Sequence, residues 1–585
     1  MLDLSTVDAR AAIRSAHVMP EAEALQRLIA EAGIGADVHS AIHSRAVDLV
    51  RAIREGSDPS MMELFLGEYG LSTDEGVALM CLAEALLRVP DGDTMDALIE
   101  DKIAPSHWDA HLGKSHSSLV NASTWALFMT GKVLKDGRQS DVARVLHGAV
   151  KRLGEPVIRQ AVTRVMKELG RQFVLGETIE KAVKRAKELE AQGFSYSYDM
   201  LGEAARTDAD ARRYHLAYSD AIGVLAKHAK SDDIRANPGI SIKLSALHPR
   251  YETLQKERVM DELLPRARAL CVLAKSAGIG LNIDAEEAGR LDLSLDVIEA
   301  LLSEPTLKGW DGFGVVVQAY GLRAPHVLDW LYALATRLDR KIMVRLVKGA
   351  YWDTEIKHAQ VEGHGGFSVF TQKAATDVSY ICCAKKLLGM TDRIYPQFAT
   401  HNAHTVAAVL EMAVDSELYE FQRLHGMGEA LHDTVLKQAG TRCRIYAPVG
   451  AHKDLLAYLV RRLLENGANS SFVNQIVDED VPAAEVAADP FAAVEALLPD
   501  VAHPKVRLPN ALFGERRNST GWDLEDPATV DALREGMKAH PGPWGCGDIA
   551  VTNPATGEVI GHTRFHCAAD AKAACARATD WSHAS

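Results

Sequence analysis

From residue 175 to 475 the apolar positions switch repeatedly between two periods. Short runs rich in Val, Ile, Phe and Tyr lie at 194–199, 240–246, 280–285, 313–320, 341–347, 394–400, 419–425 and 443–449. Bounded by turn residues, such runs read as buried strands. Helical spacing separates them over 208–230, 258–277, 292–303, 324–338, 368–388, 404–414 and 428–439. One helical pattern at 177–192 precedes the series and another at 453–466 closes it. Eight strand–helix units in about 290 residues predict an α/β fold, a (β/α)8 TIM-like barrel. A doubly wound sheet is the alternative, but no GxGxxG follows any of the strands.

The first third predicts helices. Leu25, Leu28 and Ile29, then Val38, Ile42, Val47 and Val50, fall at helical spacing. Ser72–Glu75 forms a capping box, and further helices are expected over 118–134, 138–152 and 156–170, with Pro156 at the start of the last. His39 and His43 stand four apart on one helix and read as a solvated face, since no third ligand is near in sequence. Gly113-Lys-Ser115 fails as a phosphate loop because Trp108 holds the earlier glycine position. Met1–Ala16 is nearly neutral, with no strand and basic-helix pattern, so no DNA-binding segment is expected. Beyond the barrel, about 478–509 is rich in Ala, Pro and Asp and reads as a linker; 548–564 predicts two strands around a turn, and 568–580 a helix.

Composition narrows the class. A chain of 585 residues exceeds one core and predicts two to four domains. A net charge of −14 argues against a nucleic-acid surface spread over the chain. Eight cysteines without a CxxC predict free thiols in a reducing compartment. With no signal segment and no apolar run long enough to span a bilayer, a cytoplasmic protein is expected, with membrane contact at most peripheral.

In a barrel, function collects where the strands end. Those ends carry Asp199, Lys243, Asp284, Gln318, Arg345, Lys348, His401, Asn402, Gln422, His425 and Tyr446. The helix at 453–466 adds Arg461, Arg462 and Glu465. The richest stretch is Val344–Asp353, VRLVKGAYWD, where cationic and aromatic residues follow an apolar strand. Lys243 and Lys348 allow a Schiff-base aldolase. Asp284, His401 and His425 allow a divalent metal. The excess of cations, with Thr371 near a helix start, favours a large anionic ligand, and Trp352 and the tyrosines offer planar surfaces. These residues alone reach a cofactor-plus-carboxylate site and no further.

Seven segments in order, GISIKLSALHPRY (239–251), IDAEE (283–287), VVVQAYG (315–321), VRLVKGAYWDTEIK (344–357), FATHNAHT (398–405), FQRLHGMG (421–428) and YLVRRLLENGANSSFV (458–473), resemble the proline dehydrogenase domain of bacterial proline utilization A. The resemblance implies a distorted barrel that holds FAD and oxidises L-proline to Δ1-pyrroline-5-carboxylate. It implies hydride transfer from proline C5 to flavin N5, with electrons passed to a membrane ubiquinone. Carried over residue by residue, it makes Lys243, Arg461 and Arg462 the partners of the proline carboxylate. Leu346, Tyr351, Tyr446 and Tyr458 become the walls around the ring, and Arg345 the cation by the reactive flavin edge. FAD contacts are implied for Gln318, Val347, Lys348, Gly349, Trp352, Phe370, Thr371, Lys373, Thr400, His401, Asn402, Gln422, Leu424 and Glu465. Glu203 and Asp284 resemble gate residues, with Glu203 meeting Arg462 when the site closes. No metal is implied.

The tail from about 516 resembles the opening of an aldehyde dehydrogenase module. The expected organisation is an N-terminal helical arm (1–60), a helical domain (61–174), the barrel (175–475), a linker (476–515) and the truncated start of that module (516–585). The second activity is therefore expected to be absent from this chain.

Overall fold

A computed structural model describes residues 5–56, 94, 174–450, 472–477, 480–539 and 547–584. Two compact units emerge, Met1–Trp522 and Asp523–Ser585. The first contains a closed barrel of eight parallel strands in sequence order: β1 Phe194–Met200, β2 Gly239–Ile242, β3 Gly280–Ile283, β4 Phe313–Gln318, β5 Ile342–Val347, β6 Ile394–Ala399, β7 Glu420–Leu424 and β8 Arg442–Val449. All eight expected strands are present, and β1 pairs with β8 from Phe194↔Cys443 to Met200↔Val449 to close the ring. The strands β2, β3 and β4 end earlier than their apolar pattern. After β2, Leu244–Ala246 turns into a 3-10 helix although its residues stay buried. Burial, not extension, explains their apolar character.

The hydrophobic core lies mainly outside the barrel, between strands and helices, and includes Ile240, Val315, Leu346, Phe398 and Ile445. Alternate residues point inward, and several are polar or charged: Ser197, Ser241, Asn282, Arg345, Gln397, Glu420 and Arg444 are all buried. Gly314 is needed here, because a Cβ would stand 2.5 Å from the Asn282 side chain.

Three helices of the N-terminal arm, Thr6–Ser15, Glu21–Ala32 and Ala36–Gly56, wrap the barrel. The first was not expected from its pattern, since it buries only Ala9 and Ile13. Tertiary ion pairs hold it: Arg10 and Arg14 each reach Asp292. Their charges outweigh the cost of burying the Asp292 carboxyl and hold it at about 2. His39 and His43 are a correction. They do not form a solvated face: His39 Nδ1 lies 3.0 Å from Asp489 and His43 Nδ1 lies 3.1 Å from the Ala487 carbonyl. They dock the segment after the barrel, whose short helices Ala483–Val486 and Pro490–Leu497 bury Val486, Phe491 and Val494.

A helix over Trp352–Glu362 was also unforeseen. It buries only Ile356 and Ala359, too few positions to show a period, and ends on Gly363 in the left-handed region. The helices expected at 72–88, 118–134, 138–152, 156–170 and 453–466 lie outside the described residues, as does Gly113-Lys-Ser115. Among the described residues no helix is long and apolar enough to cross a membrane. The second unit contains a helix Pro527–Lys538, an antiparallel pair Ile549–Thr552 with Val559–Thr563, and a helix Ala568–Ala584.

Candidate functional site

A cavity of about 270 Å³ opens at the C-terminal ends of the strands. Of the strand-end residues singled out, Asp199, Lys243, Asp284, Gln318, Arg345, Lys348, His401, Asn402, Gln422 and Tyr446 line it. So do Val347, Gly349, Tyr351, Lys373, Thr400 and Leu424. Pattern reasoning passed over the small and apolar wall, among it Ala285, Val316, Ala350, Ala399, Met427 and Phe472, because nothing in such residues marks a site.

The cavity floor is one hydrogen-bonded cluster. Arg345 is buried at 3% exposure and donates to Gln422 Oε1 at 2.6 Å, Ser241 Oγ at 3.0 Å, Asp284 Oδ1 at 3.0 Å and Ser197 Oγ at 3.1 Å. Asp284 also accepts the Tyr446 hydroxyl at 2.7 Å, and its Oδ2 lies 3.5 Å from Lys243 Nζ. Lys243 donates to Asp199 at 2.8 Å. The Arg345 guanidinium lies 5.1 Å from the Tyr446 ring centroid. Burial works against the Lys243 charge, but Asp199, Tyr446 and Asp284 raise its ammonium well above the ordinary value. A lysine held protonated is a poor Schiff-base nucleophile, so Lys243 does not suit the aldolase alternative.

Nearer the rim, Lys348 and Lys373 share the carboxylate of Asp377. Burial alone would raise the Asp377 carboxyl, yet the two ammoniums hold it at about 2. Asp377 was legible only as the i,i+4 partner of Lys373 on the helix Lys373–Leu388. His401 Nε2 accepts the Leu424 N–H at 3.0 Å, and Asn402 caps the helix Ala403–Met412 through Thr405 N. His425 is buried off the cavity, its imidazole pushed down to about 3 by burial. Asp284, His401 and His425 therefore do not converge as metal ligands.

Four residues expected to contact ligands, Leu346, Trp352, Phe370 and Thr371, do not line the cavity. Leu346 is fully buried in the outer core, because the pleat that turns Arg345 and Val347 inward turns Leu346 away. Trp352 Nε1 donates to the Phe370 carbonyl at 2.9 Å, and neither residue is on the cavity wall. The Thr371 N–H and hydroxyl both bind the Glu21 carboxylate of the N-terminal arm, at 2.8 and 2.7 Å. At Gly349, with φ 144°, a Cβ would stand 2.4 Å from the Tyr320 ring, so its close approach is to an aromatic side chain. Glu203 follows β1 and is half-buried; its expected partner Arg462, with Tyr458, Arg461 and Glu465, lies outside the described residues.

The donor set fits a flavin nucleotide. A buried guanidinium and the Tyr446 hydroxyl lie on the floor, small and apolar side chains form much of the wall, and two ammoniums stand at the rim.

Comparison with known proteins places the chain in a family. A family model described as proline dehydrogenase matches residues 182–475, half of the chain. One described as the proline utilization A proline dehydrogenase N-terminal domain matches 8–54. A third, described as the DNA-binding domain of proline dehydrogenase, matches 61–173, which runs against the expectation of no nucleic-acid partner. The bifunctional protein PutA of Rhizobium meliloti is 51% identical over 558 residues, 94% of this chain but 45% of that protein. The chain thus spans less than half of the length of that relative. Proline dehydrogenase 1 of Bacillus subtilis (strain 168) is 30% identical over 307 residues, 88% of that protein. A crystal structure of a PutA variant from Bradyrhizobium japonicum superposes with a TM-score of 0.70 at 49% identity, over 91% of this chain and 53% of that one. With matches along the barrel that holds the cavity, the chain belongs to the proline dehydrogenase family.

Proposed function

We propose that the cavity binds FAD and L-proline and that the chain oxidises proline to Δ1-pyrroline-5-carboxylate, with electrons leaving to a membrane ubiquinone. The observation that carries this reading is the buried Arg345, held by four acceptors on β1, β2, β7 and the end of β3 at the floor of an otherwise largely apolar cavity. The flavin, when bound, supplies the two-electron acceptor for the hydride of proline C5. The protein supplies position and charge.

Arg345 places a permanent positive charge in a site of low dielectric, where negative charge formed during the reaction is stabilised most. Its four acceptors leave it little freedom to reorient, so little reorganisation is needed at the moment of reaction. Lys348 and Lys373 would hold the anionic phosphates of the cofactor, and Asp377 keeps both side chains in place. Asn402, Thr400, Gln318 and Gln422 provide neutral polar contacts around the same ligand. Tyr351 and Tyr446 wall the ring of the substrate. Arg461 and Arg462 take the proline carboxylate, and Glu203 and Asp284 act at the gate. This assignment is in keeping with the floor chemistry, since Lys243 and Arg345 already face Asp199 and Asp284.

The amine proton of proline must leave before or during oxidation. Lys243, held protonated, is not its acceptor, and the Nε2 lone pair of His401 is already engaged by Leu424. Proline-dependent reduction of a ubiquinone analogue by the purified chain tests the reading. Turnover with L-proline and none with a non-oxidisable analogue is the expected result. No reduction by protein that has been supplied with FAD would refute it.

A further inference from the structure

Below the cavity the barrel interior contains buried polar residues, Gln397, Glu420 and Arg444, that do not line it. Glu420 of β7 is fully buried, and its Oε1 accepts from Gln397 Nε2 at 2.9 Å, Gln422 Nε2 at 2.8 Å and Arg444 Nε at 2.7 Å. Its Oε2 accepts from Arg444 Nη2 at 3.2 Å. Above it, Gln422 Oε1 accepts from Arg345 Nε at 2.6 Å. A carboxylate only accepts and a guanidinium only donates. Gln422, caught between the two, therefore has one satisfactory amide orientation: amino group down to Glu420, carbonyl up to Arg345. Reversal would set N–H against guanidinium and carbonyl against carboxylate among buried side chains, where unmatched polar contacts are expensive.

The two serine contacts of Arg345 lack this directionality. Ser197 and Ser241 carry hydroxyls that rotate and serve either as donor or acceptor, and their oxygens lie 3.3 Å apart. Asp284 is shared with Tyr446 and Lys243. We propose that Glu420 is a positioning residue for the oxidation: through the Gln422 amide it fixes the Arg345 guanidinium in the cavity floor. Arg444 balances the Glu420 charge, so what passes up the chain of bonds is orientation and not net charge. The proposal rests on the reading of the cavity as a flavin and proline site.

Glu420→Gln removes the obligate acceptor and lets Gln422 adopt either orientation. Because it also strands the buried Arg444 charge, Glu420→Gln/Arg444→Gln, which is neutral, is prepared alongside. On the holoenzymes, the midpoint potential of the bound flavin, kcat and KM for L-proline are measured. Both variants are expected to lose roughly tenfold in kcat with KM within about twofold, and to shift the potential to more negative values as the cation loosens. A purely structural role would lower thermal stability and cofactor content while leaving the potential of the loaded fraction unchanged. Wild-type potential and kcat per bound flavin in both variants would overturn the proposal alone. A wild-type chain without flavin or proline turnover would overturn the cavity reading, and the proposal with it.

Discussion

Two charged clusters line one cavity, and they are built differently. On the floor, Arg345, Lys243, Asp199, Asp284 and Tyr446 come from strands or the residue following one, and the two cations are 3% and 6% exposed. At the rim, Lys348 leaves the end of β5 and Lys373 begins a helix, and their side chains are 26% and 47% exposed around one carboxylate. Both clusters pair cations with carboxylates, but depth separates their uses. The floor is desolvated and locked, so its charges act at full strength and barely respond to salt. The rim is hydrated and adjustable, which suits the capture of an anionic group more than the stabilisation of a reacting one.

Substitutions divide along the same line. Arg345→Met is expected to lower kcat by roughly a hundred- to a thousandfold, the range for loss of one preorganised electrostatic donor. Steady-state kinetics per bound flavin decide it, and an unchanged kcat with only poorer cofactor loading would move Arg345 into the rim class. Lys348→Ala is expected to weaken FAD binding to the apoprotein about tenfold at low ionic strength, with the difference from wild type shrinking as salt is added. Titration at two salt concentrations measures this; a salt-independent loss would place the rim in the dry class instead.

Acid provides a gentler probe of the rim. The folded Asp377 carboxyl, at about 2, lies below its unfolded value near 4, so the folded protein binds this proton more weakly. The pair thus contributes on the order of 2 kcal/mol above pH 4, a contribution lost as pH falls from about 4 towards 2. Asp377→Asn should therefore show less acid dependence of its unfolding midpoint over that window, and a slope equal to wild type would refute the assignment. Tyr446→Phe should have the smallest effect, a fall of about tenfold or less in kcat, because Asp284 keeps Arg345 and Lys243 as partners.

The contrast also explains what was legible in the sequence. Floor residues announce themselves, since Arg345 or Lys243 at the end of an apolar strand breaks a pattern. Their partners announce nothing: Ser197 and Ser241 resemble ordinary strand serines, and Glu420 lies in a strand of mixed polarity with no sign that Arg444 lies beside it. Leu346 shows the opposite failure, since adjacency to Arg345 in sequence places it on the opposite face of the sheet. The N-terminal arm was readable as helices, yet its bond to the barrel through Glu21 and Thr371 joins residues 350 positions apart. Such a pairing belongs to tertiary packing and leaves no local trace.

Anaerobic titration of the purified protein with L-proline, followed in the visible flavin bands, decides whether this cavity joins a flavin to proline. The expected result is a yellow protein whose flavin absorbance bleaches on addition of proline. A protein reconstituted with FAD whose absorbance is unchanged at saturating proline would contradict it.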